Sequence, residues 1–415
     1  MKAEIIAVGS EMLTPDSIDT NSLYLTRRLG EAGCSVHLKT VVGDEPGEIV
    51  DALRAALDRS DLILVSGGLG PTEDDRTREA AARVLGRPIR IDPHLLGALK
   101  GKFAARGLRM NKNNERQAEV IEGAEVLDNP FGTAPGMWLE ERGRLLALLP
   151  GPPRELEPMF EASVAPRIAG LGGGERLACR SLYVTGISES ELDARIAPLY
   201  AAYPRVQTTV LAGTRHIAVR LYRWVPAGEE GGDLDELAAR IRAELGDAVF
   251  STAGETMEEV IGRLLRDSDR TLAVAESCTA GMLGMQITRV AGSSAWFLGG
   301  VLCYSNSSKR DLCAVPEEVL RRYGAVSAET AEALARGVRL AFGSSIGLSV
   351  TGIAGPGGGS EEKPVGLVHV GYSDGERTES LRRILPGDRE SIRERSAALA
   401  LSWLRRFLLR PGEDG

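Results

Sequence analysis

At 415 residues the chain is longer than one hydrophobic core usually organises, and roughly 150 residues per domain implies two or three domains. A hydrophobic share of 43% and a charged share of 26% describe a soluble globular chain, while 5% aromatic residues argue against stacking platforms for single-stranded nucleic acid. With 50 basic against 58 acidic residues the net charge is -8, which repels polyanions, so nucleic acid is not expected as a partner and small anions held by backbone amides are. Five cysteines, Cys34, Cys179, Cys278, Cys303 and Cys313, form no CxxC pair and are odd in number, which suits neither a zinc site nor a disulfide framework. The opening run Met1–Gly9 is interrupted too soon for a signal peptide, and no later run approaches the ~20 apolar residues of a membrane span. A cytoplasmic protein with no membrane partner is expected.

Residues 1–170 alternate strand-like runs (Glu4–Val8, Ser35–Val42, Leu62–Val65) with helix-like segments (Asn21–Ala32, Pro46–Arg59, Arg76–Leu85), the pattern of a parallel, doubly wound sheet. Ligands of such sheets sit at the carboxyl ends of the strands, and the run GGLGPTEDD (67–75) follows a buried-looking strand directly. Gly67, Gly68 and Gly70 would let amides approach phosphate oxygens, and Asp74 and Asp75 could carry a divalent metal. A glycine turn with aspartates capping the next helix is the plain alternative, and this segment alone leaves both open. Gly9-Ser10-Glu11, Asp19-Thr20-Asn21, Asp44 and the 129–136 segment with Thr133 each lie beside an expected strand end, and their weight is collective.

Residues 171–252 open on a glycine linker, Leu171–Gly174, and then give strand (Arg180–Val184), helix (Glu189–Leu199), two strands (Val206–Leu211 and Ile217–Tyr222) and helix (Leu234–Leu245), a small α+β domain. Its only GxxG run, Gly228–Gly231, encloses two carboxylates where RNA phosphates would lie. The module is therefore expected to act as a spacer or dimer contact.

Residues 253–415 begin with an amphipathic helix (Met257–Leu265) and a strand (Thr271–Ala275) that delivers Ser277 to a strand-to-helix junction. A serine there can present its oxygen while helix-start amides face a developing oxyanion, although Ser277 or Thr279 could equally cap the helix expected over Ala280–Val290. The expected strand Trp296–Tyr304 is followed by Lys309 in the first turn of the next helix. A desolvated lysine can take a serine proton. The four histidines, His37, His94, His216 and His369, offer no triad partner, and His369 sits inside a strand-like run. Cys278 is the rival nucleophile, but no partner base accompanies it. The strand Ile346–Val350 then opens into a glycine-dense loop, Thr351–Ser360. Its amides (Gly352, Gly355, Gly357, Gly358), the Thr351 hydroxyl and Arg389 or Arg393 could hold a 5′-phosphate. The loop lacks the Gly-Lys-Ser/Thr ending of Walker A.

Taken together, GSEML, DTN, GGLGPTEDD, NPFGTAPGM and LPGPPRE in the first half, and AESCTAG (275–281), YSNSSK (304–309), TGIAGPGGGSEEKPVG (351–366) and GDRESIR (387–393) in the last, resemble the CinA (competence/damage-inducible) family along the whole chain. The resemblance implies a molybdopterin-binding-like first domain acting as an ADP-ribose pyrophosphatase. It would need a divalent ion such as magnesium, helped by potassium, with Asp44, Asp74 and Asp75 as metal or water ligands. It implies a KH-type middle domain and a metal-free C-terminal domain that converts nicotinamide mononucleotide to nicotinate mononucleotide and ammonia. In that assignment Ser277 is nucleophile, Lys309 base and Tyr304 relay or orienting group. Thr351 and the glycine loop, with Thr279 and Gly281 at the junction, are donors to oxyanion or phosphate. A homodimer is expected. Two rival readings remain: a scaffold that binds nucleotides without reacting, in competence or recombination, and a first domain that binds molybdopterin.

Overall fold

The computed structural model describes residues 1–15, 17–169, 171, 174–226 and 228–409, so the expected linker at 171–174 lies partly outside the described residues. Two compact units emerge, one of Met1–Ala178 with Arg223–Gly231, the other of Cys179–Tyr222 with the chain from Gly232 onward.

The first unit runs β1 (Lys2–Val8), α1 (Thr20–Glu31), β2 (Ser35–Val42), α2 (Pro46–Arg59), β3 (Leu62–Ser66), α3 (Thr77–Leu85), β4 (Ile89–Ile91), α4 (Pro93–Ala105), β5 (Glu119–Ile121), β6 (Glu125–Leu127), β7 (Gly136–Glu141), β8 (Arg144–Leu149), α5 (Pro153–Met159) and α6 (Ala165–Ile168). Its six-stranded sheet has the order β2-β1-β3-β8-β7-β6. Alternation along β1 explains the double winding: Ile6 and Val8 join a core with Ile49, Leu53 and Ala81, while Ala3 and Ile5 join another with Leu25, Leu29 and Phe160. β1, β2, β3 and β8 run parallel, but β7 and β6 pair antiparallel. The all-parallel expectation is corrected there. The hairpin turn at Arg142 and Gly143, both at positive φ, returns the chain too tightly for a helical crossover.

The chain continues through β9 (Glu175–Val184), α7 (Glu189–Tyr200), β10 (Gln207–Ala212), β11 (Ile217–Pro226), α8 (Gly232–Leu245) and β12 (Val249–Ser251), a four-stranded sheet of order β10-β11-β9-β12. There follow α9 (Met257–Asp267), β13 (Leu272–Glu276), α10 (Met282–Thr288), β14 (Phe297–Leu302), α11 (Asn306–Cys313), α12 (Glu317–Tyr323), α13 (Ala328–Phe342), β15 (Ile346–Gly352), β16 (Leu367–Ser373), β17 (Thr378–Ile384) and α14 (Arg389–Leu409). The sheet β14-β13-β15-β16-β17 is parallel across its first three strands and antiparallel across the rest. Leu272 and Val274 of β13 pack with α9, α10 and α14, whereas Ala273 and Ala275 pack with α11 and α13. This central strand, covered on both faces, ends at the Ser277 junction. No helix among the described residues is long and apolar enough to cross a membrane.

Candidate active site

Ser277 is the first residue beyond β13, and its amide still donates to Val350 of β15 at 2.9 Å, so the strand pairing fixes where the side chain begins. The junction is set by Glu276, whose buried carboxylate accepts the amides of Gly281 (3.0 Å), Leu283 (3.0 Å) and Gly284 (2.8 Å). Those are helix-start donors with no partner inside the helix, and a carboxylate also favours the positive end of the helix dipole. α10 consequently starts at Met282 rather than at Ala280. Gly281, expected to bind substrate, has its N–H occupied by Glu276. Glu276→Gln replaces an acceptor oxygen with an amino group facing N–H donors. The variant is expected to lose roughly 2–4 kcal/mol, read as a lower denaturant midpoint; an unchanged midpoint contradicts this account of the junction.

Lys309 reaches the junction from α11, which Ser305 and Ser308 start as a reciprocal capping box, so the serines of the YSNSSK run serve the helix end. Its Nζ lies 3.0 Å from Ser277 Oγ, 2.7 Å from the Cys303 carbonyl and 3.2 Å from the Tyr304 carbonyl. With only 1% of the residue exposed, burial pulls the amine below the usual lysine range. An ammonium would donate to all three oxygens. A neutral amine keeps two N–H bonds for the carbonyls and turns its lone pair to the Ser277 hydroxyl, the arrangement of a general base. Cys278 is no competitor, because burial pushes its thiol up to about 12 and holds it protonated.

Several other expected roles are corrected. Thr351 is fully buried and its hydroxyl donates to the Ala325 carbonyl at 2.7 Å, so it is committed to the fold. Thr279 is equally buried, and its carbonyl accepts from Arg393 at 2.9 Å, but its hydroxyl has no partner among the described residues, so its expected role as a donor is not contradicted. Tyr304 is exposed and its hydroxyl pairs with Arg389 (3.3 Å); only its main-chain carbonyl reaches Lys309. Gly352 belongs to β15, where a Cβ would sit 2.8 Å from the Leu367 carbonyl and 3.2 Å from Cys278 Sγ. Arg389 donates to the Gly355 carbonyl (2.7 Å), and Arg393 also holds the Cys278 carbonyl (3.2 Å). Both arginines fasten the loops around Ser277. Gly357 and Gly358 stay on an exposed stretch of backbone. His369 is buried in β16, as its strand-like surroundings suggest.

In the first unit a cavity of about 420 Å³ brings together Gly67, Gly68, Gly70, Asp44, Asp74, Asp75 and Thr133. Gly68 has φ +68° and a Cβ there would lie 2.1 Å from Thr77 Oγ1, so this turn requires glycine. Thr77 in turn donates from its hydroxyl to the Gly67 carbonyl (2.8 Å), and Thr133 accepts from Gln117 (2.9 Å). The Thr72 amide donates to Asp75 Oδ2 at 2.8 Å, and the Thr72 hydroxyl donates to the same oxygen. Asp44 Oδ2 accepts the Ser10 amide at 2.8 Å. Among the described residues no three His, Cys, Asp or Glu side chains converge as a metal cage. One or two carboxylates beside a phosphate-sized cavity nevertheless fit magnesium, which binds few protein oxygens and takes substrate phosphates and waters as its other ligands.

Matches to known proteins cover both candidate regions. Residues 4–170 match the family model described as "Probable molybdopterin binding domain", and residues 254–408 match the CinA C-terminal domain. A CinA-like protein of Acidobacterium capsulatum is 48% identical over 414 residues, spanning 99% of this chain and all of that one. The chain belongs to the CinA family. A second CinA-like relative, from Koribacter versatilis, is 45% identical over 99% of the chain and 100% of its own length. The crystal structure of competence/damage inducible protein CihA from Agrobacterium tumefaciens is 38% identical, covers 37% of this chain and 96% of its own, and superposes with a TM-score of 0.35.

Membership of the CinA family agrees with the resemblance read from the motifs. Two residues of this family member escaped that reading. Glu276 lies directly before Ser277, and an acidic residue at a strand end a few residues ahead of the expected helix start at Ala280 is a signal for a helix-start acceptor. Arg78 is fully buried beneath the 67–75 loop and donates to the Leu69 carbonyl at 3.1 Å, a contact no local pattern reveals.

Proposed function

We propose that the second unit hydrolyses the carboxamide of nicotinamide mononucleotide, giving nicotinate mononucleotide and ammonia. The observation that carries this reading is Ser277 Oγ set 3.0 Å from a lysine nitrogen that burial inclines to the neutral form. Lys309 takes the hydroxyl proton as Oγ bonds to the carboxamide carbon, and amides of the turn that holds Ser277 receive the oxyanion. Collapse of the tetrahedral species breaks the C–N bond, and Lys309 returns the proton so that ammonia leaves. Water, deprotonated by the same amine, then cleaves the acyl ester and restores Ser277. The exposed backbone at Gly357 and Gly358 is the part of the glycine loop open to a 5′-phosphate. A scaffold that merely binds nucleotides has no use for a desolvated lysine against a serine hydroxyl, which favours the enzyme.

The first unit is read as an ADP-ribose pyrophosphatase yielding AMP and ribose 5-phosphate. Its support is the glycine-walled cavity that gathers Asp44, Asp74 and Asp75. When bound, a divalent ion would neutralise charge on the departing phosphate, with potassium as an auxiliary cation. Asp44 and Asp74 are the carboxylates for that ion, and Asp75 shapes the loop through Thr72. Turnover of ADP-ribose, set against binding of molybdopterin, separates this reading from its rival. A KH-type arrangement for 171–252, supported by the order strand, helix, two strands, helix, completes the proposal, together with a cytoplasmic homodimer that recycles pyridine nucleotides.

Incubating the full chain with both substrates tests the division of labour. A chelator is expected to abolish cleavage of ADP-ribose and to leave ammonia release unchanged. Loss of ammonia release on chelation removes the serine mechanism, and metal-independent cleavage of ADP-ribose removes the assignment of the carboxylates.

A further inference from the structure

A second cavity, of about 210 Å³, lies in the second unit and shares no residue with the Ser277 junction. Its wall carries three rings in mutual contact. Tyr183 and His216 meet edge to face with centroids 5.4 Å apart, His216 and Phe250 likewise at 5.8 Å, and Tyr183 and Phe250 lie 6.0 Å apart. Met257, at the start of α9, is also part of the lining. Arg215 and Glu258 form an ion pair at 2.9 Å on the same lining; the Glu258 side chain is only 8% exposed, that of Arg215 38%.

This combination has a chemical meaning. Aromatic rings that border a void offer faces and edges to a flat guest. The joined carboxylate and guanidinium present an acceptor beside a donor. Such a pair recognises a ligand edge bearing an N–H beside a ring nitrogen or carbonyl oxygen, as bidentate side chains do on base edges. The His216 ring nitrogens have no protein partner among the described residues, and burial, with Arg215 beside it, pushes the imidazole below the ordinary histidine range; in the neutral form it donates from one nitrogen and accepts at the other. The volume falls below that of pockets for drug-sized molecules, which limits the guest to a base without its sugar and phosphates.

We propose that this cavity binds a planar nitrogen heterocycle carrying an exocyclic amino or amide group, a free nucleobase or a pyridinecarboxamide, with its ring against Tyr183, His216 and Phe250 and its polar edge on Arg215 and Glu258. An anionic ring acid is disfavoured, because its carboxylate can accept from Arg215 but has no N–H to give Glu258.

The chain has only four histidines, so the His216 ring signals can be followed by NMR in the full protein and assigned with His216→Gln. Titration with adenine and, separately, with nicotinamide is expected to move the His216 signals saturably with at least one of them, while nicotinate does not. Arg215→Met is expected to weaken that binding roughly tenfold or more, the loss of a charge-assisted hydrogen bond. Phe250→Leu, a milder change to the wall, is expected to weaken it less. The Ser277→Ala variant, which leaves this cavity intact, is expected to give the same His216 titration whether or not the amidase reading holds. His216 signals unmoved by millimolar adenine and nicotinamide overturn the proposal, as does a titration that Arg215→Met leaves unchanged.

Discussion

Replacing Ser277 with alanine is expected to reduce ammonia release from nicotinamide mononucleotide by roughly 10³-fold or more, the scale on which other enzymes lose their nucleophile. The change removes one oxygen from a residue that is 8% exposed, and the fold is expected to stand, because Glu276 and the strand pairing, not the serine hydroxyl, define the junction. ADP-ribose cleavage in the same preparation serves as the internal control for folding of the other unit. Retained ammonia release in Ser277→Ala ends the serine mechanism, and Cys278 does not rescue it, because its thiol stays protonated well above physiological pH.

Lys309→Met gives the second large effect. Methionine fills a comparable volume without charge, so deamidation is expected to fall as far as in Ser277→Ala, and the double variant is expected to be no worse than either single one, since the two groups act as a unit. In the wild type the amine must be unprotonated to work. Deamidation is therefore expected to rise with pH through the lowered lysine value and to level off below the ordinary lysine range. Stability should follow the same group. Between the folded and unfolded values the unfolded chain holds the lysine proton that the folded chain has released, so stability rises with pH across that window and this contribution levels off below the folded value. Urea titrations at several alkaline pH values should show this slope in the wild type and lose it in Lys309→Met. A rate profile flat up to the usual lysine range refutes the base assignment.

The sequence discloses local patterns better than it discloses long-range geometry. Ser277 and Lys309 were legible because a strand-to-helix junction and a lysine in a helix's first turn are local patterns, and a sheet brings the two elements together. Thr351 misled for an equally physical reason: a threonine opening a glycine loop reads as a donor, and only the fold reveals that α13 begins beside it and that the Ala325 carbonyl claims its hydroxyl. Gly352 and Gly281 have backbone reasons for being glycine, close approach of Leu367 in one case and φ +93° in the other, and composition cannot separate these from ligand binding. The parallel β1, β2 and β3 announced themselves through apolar runs between helices, whereas β6 and β7 are short, pair antiparallel and carry polar residues that hide them. The contacts of Glu4 with Thr40, Arg59 and Ser60 belong to the same class: long in sequence, and visible only when folded.

The grip of Arg393 on the carbonyls of Cys278 and Thr279 has a consequence for biosynthesis. Translation proceeds from the amino end, so Ser277 and Lys309 leave the ribosome well before the guanidinium that secures the turn after Ser277. A polypeptide released early, anywhere between 310 and 392, would carry Ser277 and Lys309 yet lack this clasp, so under the proposed function such fragments are expected to release no ammonia until α14 has been made.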